Sequence, residues 1–186
     1  MKNVLIISGH PDLKISTANR TILEALAKAL PAAEIRKLDE LYPDYQFDVA
    51  AEQAALAKAE VIVFQFPFHW YSAPGLLKLY IDKVFLHGWA YGMQGTALAG
   101  KKLILSATAG APENLYRKDA SFRHEPPEFG YYLEQFAQLC KMNCAPMIYT
   151  CGMAYIEGVS PSSVKTAVIA KAKAQAQRVV KEIGNG

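Results

Sequence analysis

Short apolar runs alternate along the chain with segments whose apolar residues recur at helical spacing. Val4–Ser8, residues 61–66 and residues 103–107 are almost continuously apolar, and we interpret them as buried strands. Residues 33–38 predict a weaker second strand, and residues 147–151 predict a fifth. Buried strands separated by helices indicate an α/β domain with a parallel sheet and helices on both faces.

The segments between the strands predict helices over residues 17–30, 49–59 and 129–142. Helical spacing is also clear in a fourth segment, where one face collects the side chains of Leu76, Leu77, Tyr80, Ile81, Val84 and Phe85. Ser72 is predicted to cap this helix, in whose first turn a proline costs little. Ser160 repeats that signal before a last helix that ends near residue 183.

Five strands with intervening helices predict a single domain over residues 1–186, built on a doubly wound sheet of order 2-1-3-4-5. Ligands of such sheets bind beyond the carboxyl ends of the strands, where the strand order reverses. Residues 9–17, 67–73 and 108–116 follow strands one, three and four. We therefore expect these three loops to meet at one crevice.

The first loop ends in two hydroxyls and an amide, those of Ser16, Thr17 and Asn19, at the predicted start of a helix. The free N–H groups and partial positive charge of a helix start suit a phosphate. Simple capping by Ser16 or Thr17 explains the same residues equally well. The loop contains neither a Gly-x-Gly-x-x-Gly nor a Walker A motif, which disfavours a dinucleotide fold of that type and a P-loop NTPase.

The second loop carries four consecutive ring-bearing residues, Phe68, His69, Trp70 and Tyr71. Large flat side chains in a loop suit stacking on a planar ligand or an oligomer interface, although they could also close the core. The third loop, residues 108–116, is rich in small residues that let a ligand ring approach the backbone. It ends in Tyr116, whose phenol can donate a hydrogen bond, but alone it could be an ordinary turn.

Charge, apolar runs and cysteines argue against several classes of function. Lys and Arg number 20 against 17 Asp and Glu, a net charge of +3 that gives no argument for nucleic acid binding. The first apolar run is too short for a signal peptide and no run suggests a membrane span, so we expect a cytoplasmic protein. Cys140 and Cys144 would share a face of a helix, but we favour packing over a metal site because no histidine lies at a ligand spacing.

Several motifs together resemble the flavodoxin-like NAD(P)H:quinone oxidoreductases, the DT-diaphorase family. The resemblance is closest to bacterial members that include the ancillary flavoproteins of glutathione-gated potassium efflux systems. It rests on Gly9-His10-Pro11, Leu41-Tyr42-Pro43-Asp44, Ala51-Glu52-Gln53, Phe66-Pro67-Phe68-His69-Trp70-Tyr71, Ile81-Asp82-Lys83-Val84-Phe85 and Gly88-Trp89-Ala90-Tyr91-Gly92. The fold that it implies is the flavodoxin-like five-stranded sheet predicted above.

The resemblance implies bound FMN, with FAD as the alternative. By their match to the family, the residues around the phosphate and ribityl chain are His10, Ser16, Thr17, Ala18 and Asn19. Those lining the isoalloxazine ring are Pro67, Phe68, His69, Trp70 and Tyr71. Those beside its pyrimidine end are Thr108, Ala109, Gly110 and Ala111, where the family has Thr-Thr-Gly-Gly. This departure removes one hydroxyl and adds one Cβ, but it keeps the backbone N–H donors.

The resemblance also assigns catalytic roles. Tyr116 matches a tyrosine that handles charge during hydride transfer. In the animal enzymes this tyrosine pairs with a histidine, whose position falls near Phe122 in this sequence. His124 is close to that position but not aligned with the histidine, and it is the candidate for the same role. Tyr91 matches an aromatic residue that reaches toward the neighbouring subunit's pocket, which implies a homodimer.

The implied activity is transfer of a hydride from NAD(P)H through the flavin to a quinone or similar planar acceptor. One alternative is a regulatory subunit of a potassium efflux transporter, which would place the protein peripherally at the inner membrane. The second is a one-electron carrier like flavodoxin, although those are usually acidic. The sequence leaves the choice between NADH and NADPH open.

Overall fold

The computed structural model describes residues 2–185 and contains a parallel sheet of order β2-β1-β3-β4-β5, with β6 also paired to β4. The strands are β1 (Val4–Ser8), β2 (Glu34–Lys37), β3 (Val61–Pro67), β4 (Lys102–Thr108), β5 (Asn143–Cys144) and β6 (Ile148–Thr150). The central pairs keep one continuous register, from Val4 opposite Val61 to Ser8 opposite Gln65. The predicted doubly wound fold and strand order are confirmed.

Helices cover both faces of this sheet. They are α1 (Thr17–Ala29), α2 (Leu38–Leu41), α3 (Val49–Lys58), α4 (Gly75–Val84), α5 (Tyr131–Leu139) and α6 (Ser162–Gly184). Leu5 and Ile7 of β1 belong to the core cluster shared with α3, α4 and α5, whereas Ile6 belongs to the cluster shared with α1 and α6. This alternation follows from the period of two in a strand, and it explains why β1 is apolar throughout. Among residues 2–185, no helix has both the length and the apolar character needed to cross a membrane.

The fifth position of the sheet contains one strand more than predicted. The strand predicted over residues 147–151 is present as β6, and the two-residue β5 also pairs with β4 just before it. Pro146 lies between them and has no N–H to donate to the ladder. Cys140 is the C-cap residue of α5 and Cys144 lies in β5, so the two thiols are not on one helix.

The predicted serine caps are also wrong. Pro74 and Pro161 occupy the N-cap positions of α4 and α6. Ser72 instead closes a turn with His69, and the Ser160 hydroxyl accepts a hydrogen bond from the Ile156 N–H. Residues 129–142 were predicted as one helix, but they begin with the end of a 3₁₀ segment (Pro126–Gly130), and α5 stops at Leu139. In contrast, all six side chains predicted for the inner face of α4 are buried.

Candidate functional site

The three loops predicted to converge do meet at the carboxyl edge of the sheet. The Gly9 N–H donates to the Gln65 carbonyl over 2.9 Å, and the Phe68 N–H donates to the Thr108 carbonyl over 2.8 Å. The rings of His10 and His69 lie edge to face with centroids 6.0 Å apart. The convergence expected from strand order alone is therefore observed as direct contacts among the segments at the ends of β1, β3 and β4.

The start of α1 forms one end of this site. The Ser16 hydroxyl caps the helix by accepting a hydrogen bond from the Asn19 N–H over 3.2 Å. The N–H groups of Thr17 and Ala18, both buried residues, donate to no acceptor within residues 2–185. Capping by Ser16 is thus real, but it leaves two N–H groups for an anion at the positive end of the helix.

His10 lies beside this helix start and is buried. Its Nδ1 accepts a hydrogen bond from the Asp12 N–H over 3.1 Å, so the neutral ring carries its proton on Nε2. Burial, followed by the proximity of His69, lowers the pKa of His10 below its ordinary value. His10 is therefore a neutral donor at physiological pH.

Buried amide side chains connect the helix start to the strands. Asn19 Nδ2 donates to Thr108 Oγ1 over 3.1 Å, and Gln65 Nε2 donates to Asn19 Oδ1 over 2.8 Å. The Gln65 Oε1 and Ser8 Oγ atoms are buried without a hydrogen-bond partner among the described residues. Sequence reasoning singled out Asn19 but missed Gln65, because a glutamine inside an apolar strand gives no sign of its partner.

The aromatic loop after β3 forms a tight, strained turn. His69 and Ser72 exchange two backbone hydrogen bonds of 2.9 and 3.1 Å, while Trp70 and Tyr71 between them have φ of +51° and +62°. Positive φ at both central positions is the geometry of a type I′ turn, which normally takes Asn-Gly. Bulky residues in this conformation cost on the order of 1–3 kcal/mol each and cluster at functional sites.

This turn exposes an aromatic side chain and two backbone N–H groups that have no partner within residues 2–185. The Trp70 side chain is 94% exposed, although it is among the largest apolar groups in the chain. The N–H groups of Trp70 and Tyr71 donate to no acceptor in the described part of the chain. An exposed indole face beside two free backbone donors matches the needs of a flat ligand with acceptor atoms on its rim.

The loop after β4 forms the opposite wall. It is held by the end of β6, since the Ala109 N–H donates to Thr150 and the Gly152 N–H donates to Ala111 over 2.9 and 2.7 Å. The Gly110 N–H has no acceptor within residues 2–185. The departure at Ala111 from the family's glycine is therefore accommodated, and a free backbone donor remains at Gly110.

Tyr116 is buried behind this wall. Its ring packs edge to face on Phe122 and Phe129, with centroids 5.0 and 6.2 Å away. Burial, followed by the neighbouring Cys151 and Tyr71, raises the pKa of Tyr116, while a backbone hydrogen bond from Ala111 opposes this shift. The phenol is therefore protonated throughout the neutral pH range.

His124 lies at the rim of the same cluster. Its Nδ1 is 2.7 Å from Glu128 Oε2, and this pairing lowers the pKa of Glu128. Phe122, not a histidine, packs against Tyr116. The structure thus pairs His124 with a carboxylate, and its proposed catalytic role remains a prediction.

Tyr132 on α5 is a site neighbour that sequence reasoning missed. Its hydroxyl accepts hydrogen bonds from the Ala73 N–H and the Ser72 Oγ, over 2.9 and 3.2 Å, directly after the aromatic turn. The available signal was its position three residues after Phe129, which predicts a shared helical face. Within residues 2–185, no group of three or more His, Cys, Asp or Glu side chains is arranged to hold a metal ion.

Comparison with known proteins agrees with this architecture. A family model described as the flavodoxin-like fold matches residues 2–180. General stress protein 14 of Treponema denticola, solved in complex with FMN, is 28% identical over 97% of this chain and 99% of its own, with a TM-score of 0.85. An NADPH-quinone reductase from P. pentosaceus is 26% identical over 92% of this chain and 98% of its own, with a TM-score of 0.71.

A third solved structure carries a different name. It is described as a thermophilic tryptophan halogenase from Streptomycin violaceusniger, and it is 32% identical over 91% of this chain and 95% of its own, with a TM-score of 0.78. The first name states a ligand but no reaction, and the other two state different reactions, whereas all three structures resemble this fold. On the strength of the family match over residues 2–180, the chain belongs to the flavodoxin-like fold family.

Proposed function

We propose that this chain is an FMN-dependent NAD(P)H:quinone oxidoreductase. The observation that carries the proposal is the strained turn at the sheet edge, which exposes Trp70 and two free N–H groups beside the loops that follow β1 and β4. The FMN complex and the quinone reductase among the similar structures support the choice of ligand and reaction class.

The residues at the helix start fit the phosphate of FMN. Thr17 and Ala18 supply two free N–H groups at the positive end of a 13-residue helix, where an anion is stabilised. Neutral His10 adds a donor from Nε2. No basic side chain has to contribute its charge, because the N–H groups and the helix dipole favour the phosphate.

The residues of the turn and its opposite wall fit the flavin ring. Trp70 offers a flat face for stacking, and the N–H groups of Trp70, Tyr71 and Gly110 offer donors for the polar atoms of the ring edge. When bound, FMN supplies the two-electron centre between the nicotinamide donor and the acceptor. The protein's part is to orient that centre and to hold preorganised donors where negative charge develops.

Tyr116 is the proton-bearing group we assign to the reaction. Its buried phenol remains protonated because burial raises its pKa. It can donate a hydrogen bond toward developing negative charge on the ring or on a quinone oxygen. His124 is kept in the proposal only as a rim residue, since its imidazole already pairs with Glu128.

One open site shared in turn by NAD(P)H and the quinone implies ping-pong kinetics. Initial rates with NADPH and a soluble quinone, varied against each other, should give parallel double-reciprocal lines. Intersecting lines would show that both substrates bind together, and this would contradict a shared site.

We also propose a homodimer in which Tyr91 approaches the partner's site. Tyr91 is held in a compact loop, where its carbonyl accepts a hydrogen bond from the Gly88 N–H and its ring packs on His87. In the same segment, Leu86 is 46% and Met93 is 98% exposed, which is the pattern of a protein–protein contact. Light scattering on the purified protein should give twice the 20.5 kDa chain mass.

A further inference from the structure

The aromatic turn, His69–Ser72, makes few stabilising contacts among its own residues. Its two central residues both have positive φ, and Trp70 is almost fully exposed, so its ring contributes no packing that offsets the strain. The only hydrogen bonds inside the turn are the two backbone bonds between His69 and Ser72. A strained conformation of this kind persists only when the surrounding structure holds it.

The surrounding structure reaches the turn from α5 and the segment before it. The Tyr132 hydroxyl accepts hydrogen bonds from the Ala73 N–H at 2.9 Å and from the Ser72 Oγ at 3.2 Å, so one oxygen holds two successive residues at the exit of the turn. Phe129, three residues earlier, packs its ring on Tyr71 with centroids 5.2 Å apart. Phe129 belongs to the 3₁₀ segment and Tyr132 to the first turn of α5, which follows it directly, so both contacts come from adjoining parts of the chain.

We propose that Tyr132 is a positioning residue whose hydroxyl fixes the His69–Ser72 turn in its strained form. In this form the free N–H groups of Trp70 and Tyr71 and the exposed indole are ready before a ligand arrives. The inference rests on the proposed function for its consequence, which is tighter flavin binding. Its structural part, the order of the turn, can be tested in protein without flavin.

The test compares Tyr132→Phe, which removes only the hydroxyl, with Tyr131→Phe on the same helix. Tyr131 is 57% exposed and is a matched control. Hydrogen exchange of the His69, Ser72 and Ala73 amides is measured by NMR on flavin-free protein, together with the Kd for FMN. We expect Tyr132→Phe to raise exchange at these amides and the Kd by about fivefold, which corresponds to the loss of two hydrogen bonds at the low end of their net contribution.

Amides in the middle of β1 and β3 should exchange as in the wild-type protein, and Tyr131→Phe should change neither quantity. Faster exchange spread evenly over the whole chain would overturn the proposal, because Tyr132 would then support only global stability. Unchanged exchange at Ser72 and Ala73 would overturn it as well. Faster local exchange with an unaltered Kd would remove the link to flavin binding.

Failure of the proposed function would look different. If wild-type protein bound no FMN, the oxidoreductase assignment would fail, while the exchange pattern would still decide whether Tyr132 orders the turn. If FMN bound and quinone were reduced but the exchange pattern of Tyr132→Phe matched that of the wild type, only the role of Tyr132 would be lost.

Discussion

Asn19 and Thr108, which are 89 positions apart, meet in the interior, where the Asn19 amide donates to the Thr108 hydroxyl over 3.1 Å. Asn19 belongs to the start of α1 and Thr108 ends β4, so this one bond joins the phosphate end of the proposed site to its ring end. Because both side chains are buried, their separation is set by the fold and not by a ligand. The proposed FMN site is therefore preorganised at its base.

Removing the indole of Trp70 tests the ring end of the site. Trp70→Ala should weaken FMN binding by about tenfold, since stacking on an aromatic side chain contributes on the order of 1–3 kcal/mol. The free energy of unfolding should change by less than about 0.5 kcal/mol, because the side chain is exposed. Fluorescence titration with FMN and urea denaturation measure the two quantities.

Trp70→Phe is the control, because it keeps a flat side chain, and its Kd for FMN should be close to that of the wild type. Equal Kd values for all three proteins would show that residue 70 does not touch the flavin.

Removing the hydroxyl of Tyr116 tests the proton-bearing group. Tyr116→Phe should retain FMN but slow quinone reduction by at least about tenfold, because a hydrogen bond to a charged group contributes about 1.5–3 kcal/mol. The slowing should be uniform from about pH 6 to 9, since the raised pKa of Tyr116 keeps the phenol protonated there. The measurement is the rate of quinone reduction by Tyr116→Phe and by the wild type across this pH range. A variant as fast as the wild type would leave the hydroxyl without a part in the rate-limiting step.

The lowered pKa of His10 predicts a pH dependence of stability in flavin-free protein. The neutral ring is favoured in the folded state, so the unfolded chain binds more protons once the pH falls below about 6.5. Stability contributed by neutral His10 is therefore complete above that pH and is lost as the pH falls toward the lowered value. Urea midpoints at about pH 7.5, 6.5 and 5.5 should decline less steeply for His10→Gln than for the wild type. Parallel declines would mean that His10 is not the group responsible.

The buried carboxylate of Glu52, which lies outside the proposed site, should contribute strongly to the free energy of unfolding. Glu52 is fully buried and accepts hydrogen bonds from Tyr42 and Tyr80, over 2.5 and 3.0 Å, besides pairing with Arg36. Glu52→Gln should lower the free energy of unfolding by about 3 kcal/mol, because it removes the buried charged partner of Arg36 and leaves the guanidinium paired only with the half-exposed Glu34. Glu24→Gln, at a side chain that is 70% exposed, should cost less than about 0.5 kcal/mol. Similar urea midpoints for the two variants would refute the importance of this network.

The location of the site was predictable because it follows from topology. Apolar runs identify the strands, and parallel strands bring the loops before Ser16, after Pro67 and after Thr108 to one edge. The conformation of the aromatic turn was not predictable, since left-handed φ at Trp70 and Tyr71 opposes local preference and depends on contacts from elsewhere in the chain.

Two further differences have the same kind of cause. Ser72 was expected to cap α4, but its hydroxyl bonds to Tyr132, a partner that only the packing of α5 supplies. The strand predicted over residues 147–151 is present as β6, but the two-residue β5 before Pro146 was not predicted, because it is defined by its pairing with β4. In both places the partner comes from elsewhere in the three-dimensional structure.

The decisive measurement for the oxidoreductase assignment is the visible spectrum of the purified protein, recorded with FMN before and after NADPH and then after a soluble quinone. We expect the two absorbance bands of oxidised flavin, their loss on addition of NADPH and their return with quinone. Flavin bands that persist in the presence of NADPH would contradict the oxidoreductase assignment. Failure of the protein to bind FMN at all would contradict the site itself.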